Sequence, residues 1–212
     1  MATKLGAVAG IIFAVMLVVG LMATGTPPSG EDTDDQVIAW HADSGNQKQQ
    51  LASAYMLTVA GLALVVFVGI ALKPTLASRN RNESDSALVS ITGSAALLAA
   101  AAFVIGAFAI AAVSGQGLFQ DEPIDAGVAR FLPSMGYGLV LIGGGLAGAV
   151  MITAASMHAL RTGSLPVWLG WLGILCALVL LAAVIFLPLA ALPLWAIVVS
   201  VVLLMRKDAA RA

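Results

Sequence analysis

The chain has 212 residues, of which 60% are hydrophobic and only 10% are charged, and its formal net charge is −1. Soluble domains carry about 25% charged residues, so a water-soluble fold of this length is excluded because it would expose too much apolar surface. The near-neutral charge excludes a broad basic surface for nucleic acid, and a single cysteine, Cys176, excludes an intramolecular disulfide. The lipid bilayer is therefore the predicted main partner of the chain.

Six apolar stretches approach or exceed the roughly 20 residues that a helix needs to span a bilayer. They cover residues 5–24, 51–72, 87–113, 135–160, 167–187 and 189–205. Only Pro188 separates the last two, so five helices with one long broken helix at the end is the alternative. We predict an all-α, polytopic membrane helix bundle with six transmembrane helices, which forms one transmembrane domain over residues 1–212.

Charged residues are segregated between the segments that connect these helices. If the N-terminus is cytoplasmic, the inner segments hold eight of the ten basic residues: Lys4, Lys73, Arg79, Arg81, Arg161, Arg206, Lys207 and Arg211. The outer segments then hold eight of the eleven acidic residues: Glu31, Asp32, Asp34, Asp35, Asp43, Asp121, Glu122 and Asp125. The positive-inside rule therefore predicts that both termini are cytoplasmic, and it favours six helices over five.

The first outer loop, residues 25–50, has the pattern of a short surface helix. Thr33 or Asp32 can cap this helix, and the first turn then carries acidic residues where the helix dipole favours them. Spacings of three and four residues put four side chains on one face: Val37, Ile38, Trp40 and His41. We expect an amphipathic helix on the outer membrane surface that ends at Ser44-Gly45-Asn46.

The second outer loop, residues 114–134, repeats this plan on a smaller scale. Asp125 can cap a turn, and Pro133 is then expected to introduce the fourth spanning helix. Tryptophan favours the boundary between membrane and water, so Trp168 and Trp171 are expected at the inner boundary and Trp40 and Trp195 at the outer one.

The first outer loop also contains the candidate interaction site, formed by Trp40, His41, Asp34 and Asp35. One imidazole and several carboxylates can bind a divalent cation, but zinc sites normally contain more than one His or Cys ligand. The sequence favours the alternative, a solvated acidic loop with a histidine at the membrane interface. We therefore predict no metal site.

Inside the six predicted spans there is no Asp, Glu, Lys or Arg, which argues against a proton-coupled transporter, a pump or a voltage sensor. A bis-histidine haem is excluded because His41 and His158 are predicted on opposite sides of the membrane. Ser156 and His158 are two residues apart on one helix and therefore point in different directions. We predict no cofactor and no enzymatic activity.

Glycine is concentrated in the fourth predicted helix and recurs in the fifth. The candidate packing or interaction residues are Gly143, Gly144, Gly145, Gly148, Gly170 and Gly173. Small residues let helix backbones approach closely, so the fourth helix is the predicted central packing helix. An oligomer interface or a hinge is the alternative, and adjacent glycines also favour a bend.

The segments Arg161–Pro166 and Trp168–Gly173 together resemble a linker of many small multi-pass actinobacterial membrane proteins, a family defined by a domain of unknown function. The resemblance implies six membrane helices and location in a bacterial plasma membrane. It supplies no catalytic residue. Val167 stands where many relatives have a basic residue, which puts a charge role for this loop in doubt.

Short loops, missing catalytic chemistry and a glycine-rich helix predict a non-enzymatic accessory or scaffolding subunit that binds another membrane protein. The alternative is a binder or carrier of lipid or another neutral hydrophobic molecule, because the uncharged interior contains scattered hydroxyl groups. The sequence leaves the oligomeric state open.

Overall fold

The computed structural model of the chain describes residues 2–28, 31–79, 82–119, 125–181 and 187–206. Every regular element in this part is helical, which confirms the all-α prediction. The helices are α1 (Ala2–Met22), α2 (Asp34–Ala42), α3 (Ser44–Ala77), α4 (Glu83–Phe119), α5 (Ala126–Thr162), α6 (Val167–Leu180) and α7 (Ala191–Met205). A π-helical turn interrupts α3 at Phe67–Leu72 and α5 at Leu139–Gly144, and a 3₁₀ turn, Leu187–Ala190, precedes α7.

Five of these helices, α1, α3, α4, α5 and α7, are long and apolar enough to cross a membrane. The sixth, α6, is equally apolar but has only 14 residues. Residues 182–186, which end the predicted fifth span, lie outside the described part of the chain. The structure thus has five helices of membrane-spanning length and one shorter apolar helix.

The six apolar helices form a closed ring in which each helix packs on two neighbours, in the order α1, α3, α4, α5, α6, α7 and back to α1. Neighbours run antiparallel: Gly6 near the start of α1 abuts Ala71 near the end of α3, and Gly20 near the end of α1 abuts Leu57. Across the ring, the aromatic rings of Phe13 and Phe103 are 6.1 Å apart. The core is therefore one continuous apolar cluster.

The last two helices form a hairpin. Arg206, just after α7, donates a 2.6 Å hydrogen bond from Nη2 to the carbonyl oxygen of Ser164, just before α6. The start of α6 and the end of α7 therefore lie side by side. One long broken helix, the alternative left open by Pro188, would place these two residues at opposite ends of the bundle.

The alternating helix directions sort the charged residues into two ends of the bundle. We call one the basic end, which carries Lys4, Lys73, Arg79, Arg161 and Arg206 together with Glu83 and Asp85. The other is the acidic end, which carries α2 and the residues Glu31, Asp32, Asp34, Asp35, Asp43 and Asp125. Arg81, Asp121, Glu122, Lys207 and Arg211 of the predicted charge pattern lie outside the described residues.

Both predicted outer loops are longer than the segments that connect the helices in the structure. Asp43 caps α3, because its carboxylate accepts 2.9 Å hydrogen bonds from the backbone of Gly45 and Asn46, so α3 begins at Ser44 and not at residue 51. The expectation that Ser44-Gly45-Asn46 ends the surface helix was wrong for the same reason. Asp125 caps α5 as predicted, but α5 continues through Pro133 instead of starting after it.

The glycines singled out in the sequence lie against neighbouring helices at several positions. A methyl group at Gly144 would clash with the Phe103 ring, and one at Gly148 would lie 3.1 Å from Leu192. At Gly143 it would lie 3.3 Å from the Cβ of Ala102, and at Gly170 it would lie 2.7 Å from Leu160. These close approaches let α5 pack tightly against α4, α6 and α7.

Trp195, which was expected at the outer membrane boundary, lies near the start of α7 and packs inside the bundle. Its side chain is 1% exposed and lies over Gly173, where an added methyl would be 2.8 Å from Nε1 and would clash with the hydroxyl of Ser156. The glycine creates the space that holds the indole inside the bundle. Trp168 and Trp171, by contrast, are largely exposed on α6.

Gly173→Ala should destabilise the bundle by about 1–3 kcal/mol, because the new methyl group must displace Ser156 and Trp195 from a packed core. Gly138→Ala is the matched control, since nothing lies within 4 Å of a methyl group at that helical position. That control should be neutral or stabilising by up to about 1 kcal/mol. Thermal unfolding in one detergent measures both, and equal melting temperatures for the two variants would contradict the packing described here.

Candidate functional site

The surface helix α2 begins with a reciprocal cap. The backbone N–H of Thr33 donates to Oε1 of Gln36 at 2.8 Å, and the Gln36 N–H donates to the Thr33 hydroxyl at 3.4 Å. Of the two caps proposed from the sequence, Thr33 is therefore the one used. Asp34 and Asp35 occupy the first turn, where the positive end of the helix dipole stabilises them.

One face of α2 is packed into the acidic end of the bundle. Val37 is 1% exposed and clusters with Val113 of α4 and Ala129 of α5. His41, one turn later on the same face, is 2% exposed. The expectation of a solvated loop with an interfacial histidine was wrong, because the apolar stripe of α2 packs on protein and carries His41 inward with it.

A proline in α5 explains what His41 bonds to. Pro133 has no backbone N–H, so the carbonyl of Ala129, four residues earlier, lacks its usual helix partner. The backbone of Ala129 raises the pKa of the His41 ring, as a carbonyl that accepts a hydrogen bond from the ring would. Because Nδ1 has no partner among the described residues, we assign Nε2–H as the donor. The histidine thus satisfies the carbonyl that the proline leaves open.

Arg130 makes a second link between α5 and the start of α2. Its Nη2 donates to Oδ1 of Asp34 at 2.9 Å and to the carbonyl oxygen of Asp32 at 2.5 Å. The Asp34 side chain is 75% exposed, so solvent screens this ion pair and it contributes at most about 1 kcal/mol. The pair orients α2, while the buried Val37 and His41 hold it.

Between α2, α5 and the Pro27-Pro28 segment lies a half-open pocket of about 300 Å³. Its walls are apolar where Val37, Ala129 and the prolines contribute. Its polar groups come from Asp34, His41, Arg130, Ser134 and Tyr137. The Tyr137 hydroxyl and His41 Nδ1 are buried and have no hydrogen-bond partner among the described residues. We call this cavity the α2 pocket.

The four residues predicted for the outer-loop site do not act together. Asp34 and His41 line the α2 pocket, whereas Asp35 does not. Trp40 lines a separate shallow depression with Thr26 and Gln36, and its ring meets the His41 ring edge to face at 4.8 Å. Sequence reasoning missed Arg130, Ser134 and Tyr137, because nothing in a single sequence shows that α5 lies beneath α2.

No group of three or more His, Cys, Asp or Glu side chains within the described residues is placed to hold a metal ion. In the α2 pocket, His41 and Asp34 are the members of that set. Burial lowers the pKa of His41, and the hydrogen bond to Ala129 raises it by less, so the imidazole is neutral at pH 7. The pocket is therefore lined by a neutral imidazole, a phenol and a screened ion pair.

A second polar cluster, which the sequence analysis did not predict, lies at the basic end. His158 Nδ1 is 3.3 Å from the hydroxyls of both Thr162 and Ser164, and Asp85 of α4 interacts electrostatically with this histidine. All four side chains are at most 2% exposed.

The basic-end cluster contains the residue types of a serine hydrolase, but its setting is structural. The Thr162 hydroxyl donates to the carbonyl of His158 at 2.9 Å, and the Ser164 backbone N–H donates to Thr162 at 3.3 Å. Ser164 is only 2% exposed, so a substrate has no approach to its hydroxyl. The cluster joins α4, the end of α5 and the turn before α6. The predicted topology already places Asp85 and His158 at the same end of the bundle, and this was the feature of the sequence from which the cluster could have been predicted.

One lateral groove of about 380 Å³ runs along the apolar surface of the bundle between α4, α5 and α6. Its floor carries the small or mildly polar side chains Ala149, Thr153 and Ala154, and its rims carry Leu88, Ile91 and Leu178. Nearly all of its lining is apolar. We call it the lateral groove.

No protein-family model, curated protein or solved structure matches this chain. The resemblance based on Arg161–Pro166 and Trp168–Gly173 therefore stays a prediction.

Lowering the pH should loosen α2. Because the folded pKa of His41 lies below the unfolded value of about 6.5, the unfolded state binds more protons just below that pH. The docking of α2 on the bundle is therefore strongest above about pH 6.5 and weakens as the pH falls below that value. For one proton, the docking equilibrium constant falls by at most about tenfold per pH unit. Hydrogen-exchange protection of the α2 amides, compared between pH 8 and pH 5, measures this effect.

His41→Gln is the control for the pH effect, since a glutamine amide can still donate to Ala129 but does not titrate in this range. Its α2 protection should be nearly independent of pH once intrinsic exchange rates are corrected. Parallel pH profiles for the wild type and this variant would show that His41 is not the group that titrates.

Proposed function

We propose that the chain is a non-enzymatic accessory subunit of a membrane complex and that it holds its partner at the acidic end. The observation that carries the proposal is the α2 pocket, a half-open cavity whose lining combines apolar side chains with His41, Tyr137 and the Arg130–Asp34 pair. The buried faces of α2 and α5 hold this pocket in shape before anything binds. Preformed pockets of this kind reduce the entropy cost of binding.

The proposed setting is a bacterial plasma membrane with the basic end in the cytoplasm. The support is the charge sorting: the basic residues of the described chain collect at the end that holds Lys4, Arg161 and Arg206. The positive-inside rule then puts the described ends of the chain in the cytoplasm and turns the α2 pocket outward. A partner would be met through its outer loops or the outer ends of its helices.

The α2 pocket has the size and chemistry to take one large side chain from that partner. Interface hot spots are enriched in Trp, Tyr and Arg that fill desolvated pockets. A tyrosine or tryptophan ring would pack on Val37 and Pro133, and its O–H or N–H would donate to the exposed Asp34 carboxylate. The exposed Arg130–Asp34 pair at the rim would add specificity more than affinity.

The non-enzymatic part of the proposal follows from the same residues. In the α2 pocket, the hydroxyl of Ser134 donates to the carbonyl of Arg130 at 2.7 Å, and His41 Nδ1 has no hydrogen-bond partner among the described residues. The Thr162 and Ser164 hydroxyls lie 3.3 Å from His158 Nδ1, and both residues are only 2% exposed, so a substrate cannot reach them. Binding is what these groups can do without rearrangement.

A second candidate function is the binding of a neutral lipid or another apolar molecule in the lateral groove. The observation in its favour is the nearly apolar lining of that groove and its floor of small side chains, which leave room for an extended chain. This groove lies between α4, α5 and α6.

The proposal predicts a stoichiometric second protein when the chain is extracted gently from its own membrane and examined by native mass spectrometry. Ser134→Trp, which fills the α2 pocket from its exposed wall, should lower recovery of that protein at least tenfold. Met135→Trp is the matched control, because Met135 is the exposed neighbour of Ser134 and is not a wall of the pocket.

A bare monomer or homo-oligomer in the wild type would contradict the accessory function, as would equal partner recovery by the two tryptophan variants. One retained apolar molecule per chain, lost in Thr153→Trp but kept in Ser134→Trp, would support the lateral groove instead. The two readings therefore give different results in the same experiment.

A further inference from the structure

A third cavity of about 250 Å³ lies between α3 and α4 at the basic end. Its walls come from Val65, Gly69 and Lys73 on α3 and from Gly93, Ser94 and Leu97 on α4. The π-helical turn of α3, Phe67–Leu72, contains Gly69, and a methyl group at Gly69 would meet nothing within 4 Å. We call this cavity the Lys73 crevice.

The Lys73 side chain crosses the Lys73 crevice instead of extending away from the bundle. A methyl group at Gly93 would lie 2.9 Å from both Cδ and Nζ of Lys73, so the alkyl stem and the ammonium rest on α4. Lys73 has no ion-pair partner in the part of the chain that the structure describes. A half-buried, unpaired ammonium beside an apolar surface favours an anionic ligand.

The crevice opens on a surface that is apolar on both sides. Val66 and Ile70 on α3 and Leu97 and Leu98 on α4 are 38%, 38%, 58% and 67% exposed. Such a surface on a membrane-spanning bundle meets acyl chains. The cavity therefore joins a lipid-facing slot to a cation at the end of that slot.

We propose that the Lys73 crevice binds one anionic phospholipid, with an acyl chain in the slot beside Gly69 and the phosphate at the Lys73 ammonium. Charge complementarity selects this occupant: basic pockets between membrane helices bind anionic head groups on the cytoplasmic side. A second protein helix would not neutralise the ammonium unless it carried a buried acid, and a neutral lipid would leave the ammonium unpaired. The site is independent of the α2 pocket and of the proposed function.

The test uses the purified full chain in neutral detergent, with retained lipids counted by native mass spectrometry. Phosphatidylglycerol and phosphatidylcholine with identical acyl chains are added separately at the same concentrations. The wild type should retain one phosphatidylglycerol per chain at concentrations where phosphatidylcholine is not retained. Lys73→Gln should weaken the affinity for phosphatidylglycerol about fivefold, the value expected for one basic residue near an anionic head group.

Arg79→Gln is the matched charge control, because Arg79 is an exposed residue of the same end and does not line the crevice. It should retain phosphatidylglycerol as the wild type does. Gly69→Leu, which fills the slot at an open position, should lose the lipid although it keeps Lys73.

Equal losses in Lys73→Gln and Arg79→Gln would overturn the proposal, since they would indicate attraction to the whole basic end. Equal retention of the two lipids by the wild type would overturn it as well. Unfolding temperatures of all variants without added lipid separate lost binding from lost folding.

Discussion

The acidic end is organised by one backbone carbonyl. Pro133 deprives Ala129 of its helix partner, and a buried carbonyl without a partner costs about 1–3 kcal/mol. His41 supplies the missing N–H from a separate helix. This assigned bond links α2 to α5 and leaves His41 in the lining of the α2 pocket, with Nδ1 buried and without a partner among the described residues. Membrane helices tolerate proline where a neighbouring group satisfies the freed carbonyl, and α2 provides that group here.

The rest of the bundle depends on close helix contact. In a bilayer, apolar side chains gain little from leaving lipid, so helices associate through packing and hydrogen bonds. Gly144 against Phe103 and Gly173 against Trp195 provide the packing. The basic-end cluster around His158 provides hydrogen bonds between the end of α5 and the turn before α6, and Asp85 of α4 interacts electrostatically with the same histidine. One end is thus held by a polar cluster and the other by α2.

Local signals in the sequence predicted much of the fold. Apolar length identified the helices, and Asp125 and Thr33 cap helices as expected. What failed depends on partners far along the chain. The burial of His41, which was expected at the membrane interface, was missed because Ala129 is 88 residues away, and the burial of Trp195 was missed because nothing in the sequence shows that Gly173 faces it. Pro133 was expected to begin a helix. The bond assigned from His41 to Ala129 explains why α5 can continue through Pro133.

The most direct test of the central claim is the ¹⁵N NMR spectrum of the His41 ring in protein labelled at histidine nitrogens, with His158→Gln used for assignment. At pH 7 the account predicts a neutral ring with a proton on Nε2 and an unprotonated Nδ1, and it predicts that Pro133→Ala shifts the Nε2 signal. In the Pro133→Ala variant, the restored backbone N–H at position 133 competes with the His41 ring for the Ala129 carbonyl. The account would be contradicted if the ring titrated like a solvent-exposed histidine, or if the Nε2 signal were the same in the wild type and in Pro133→Ala.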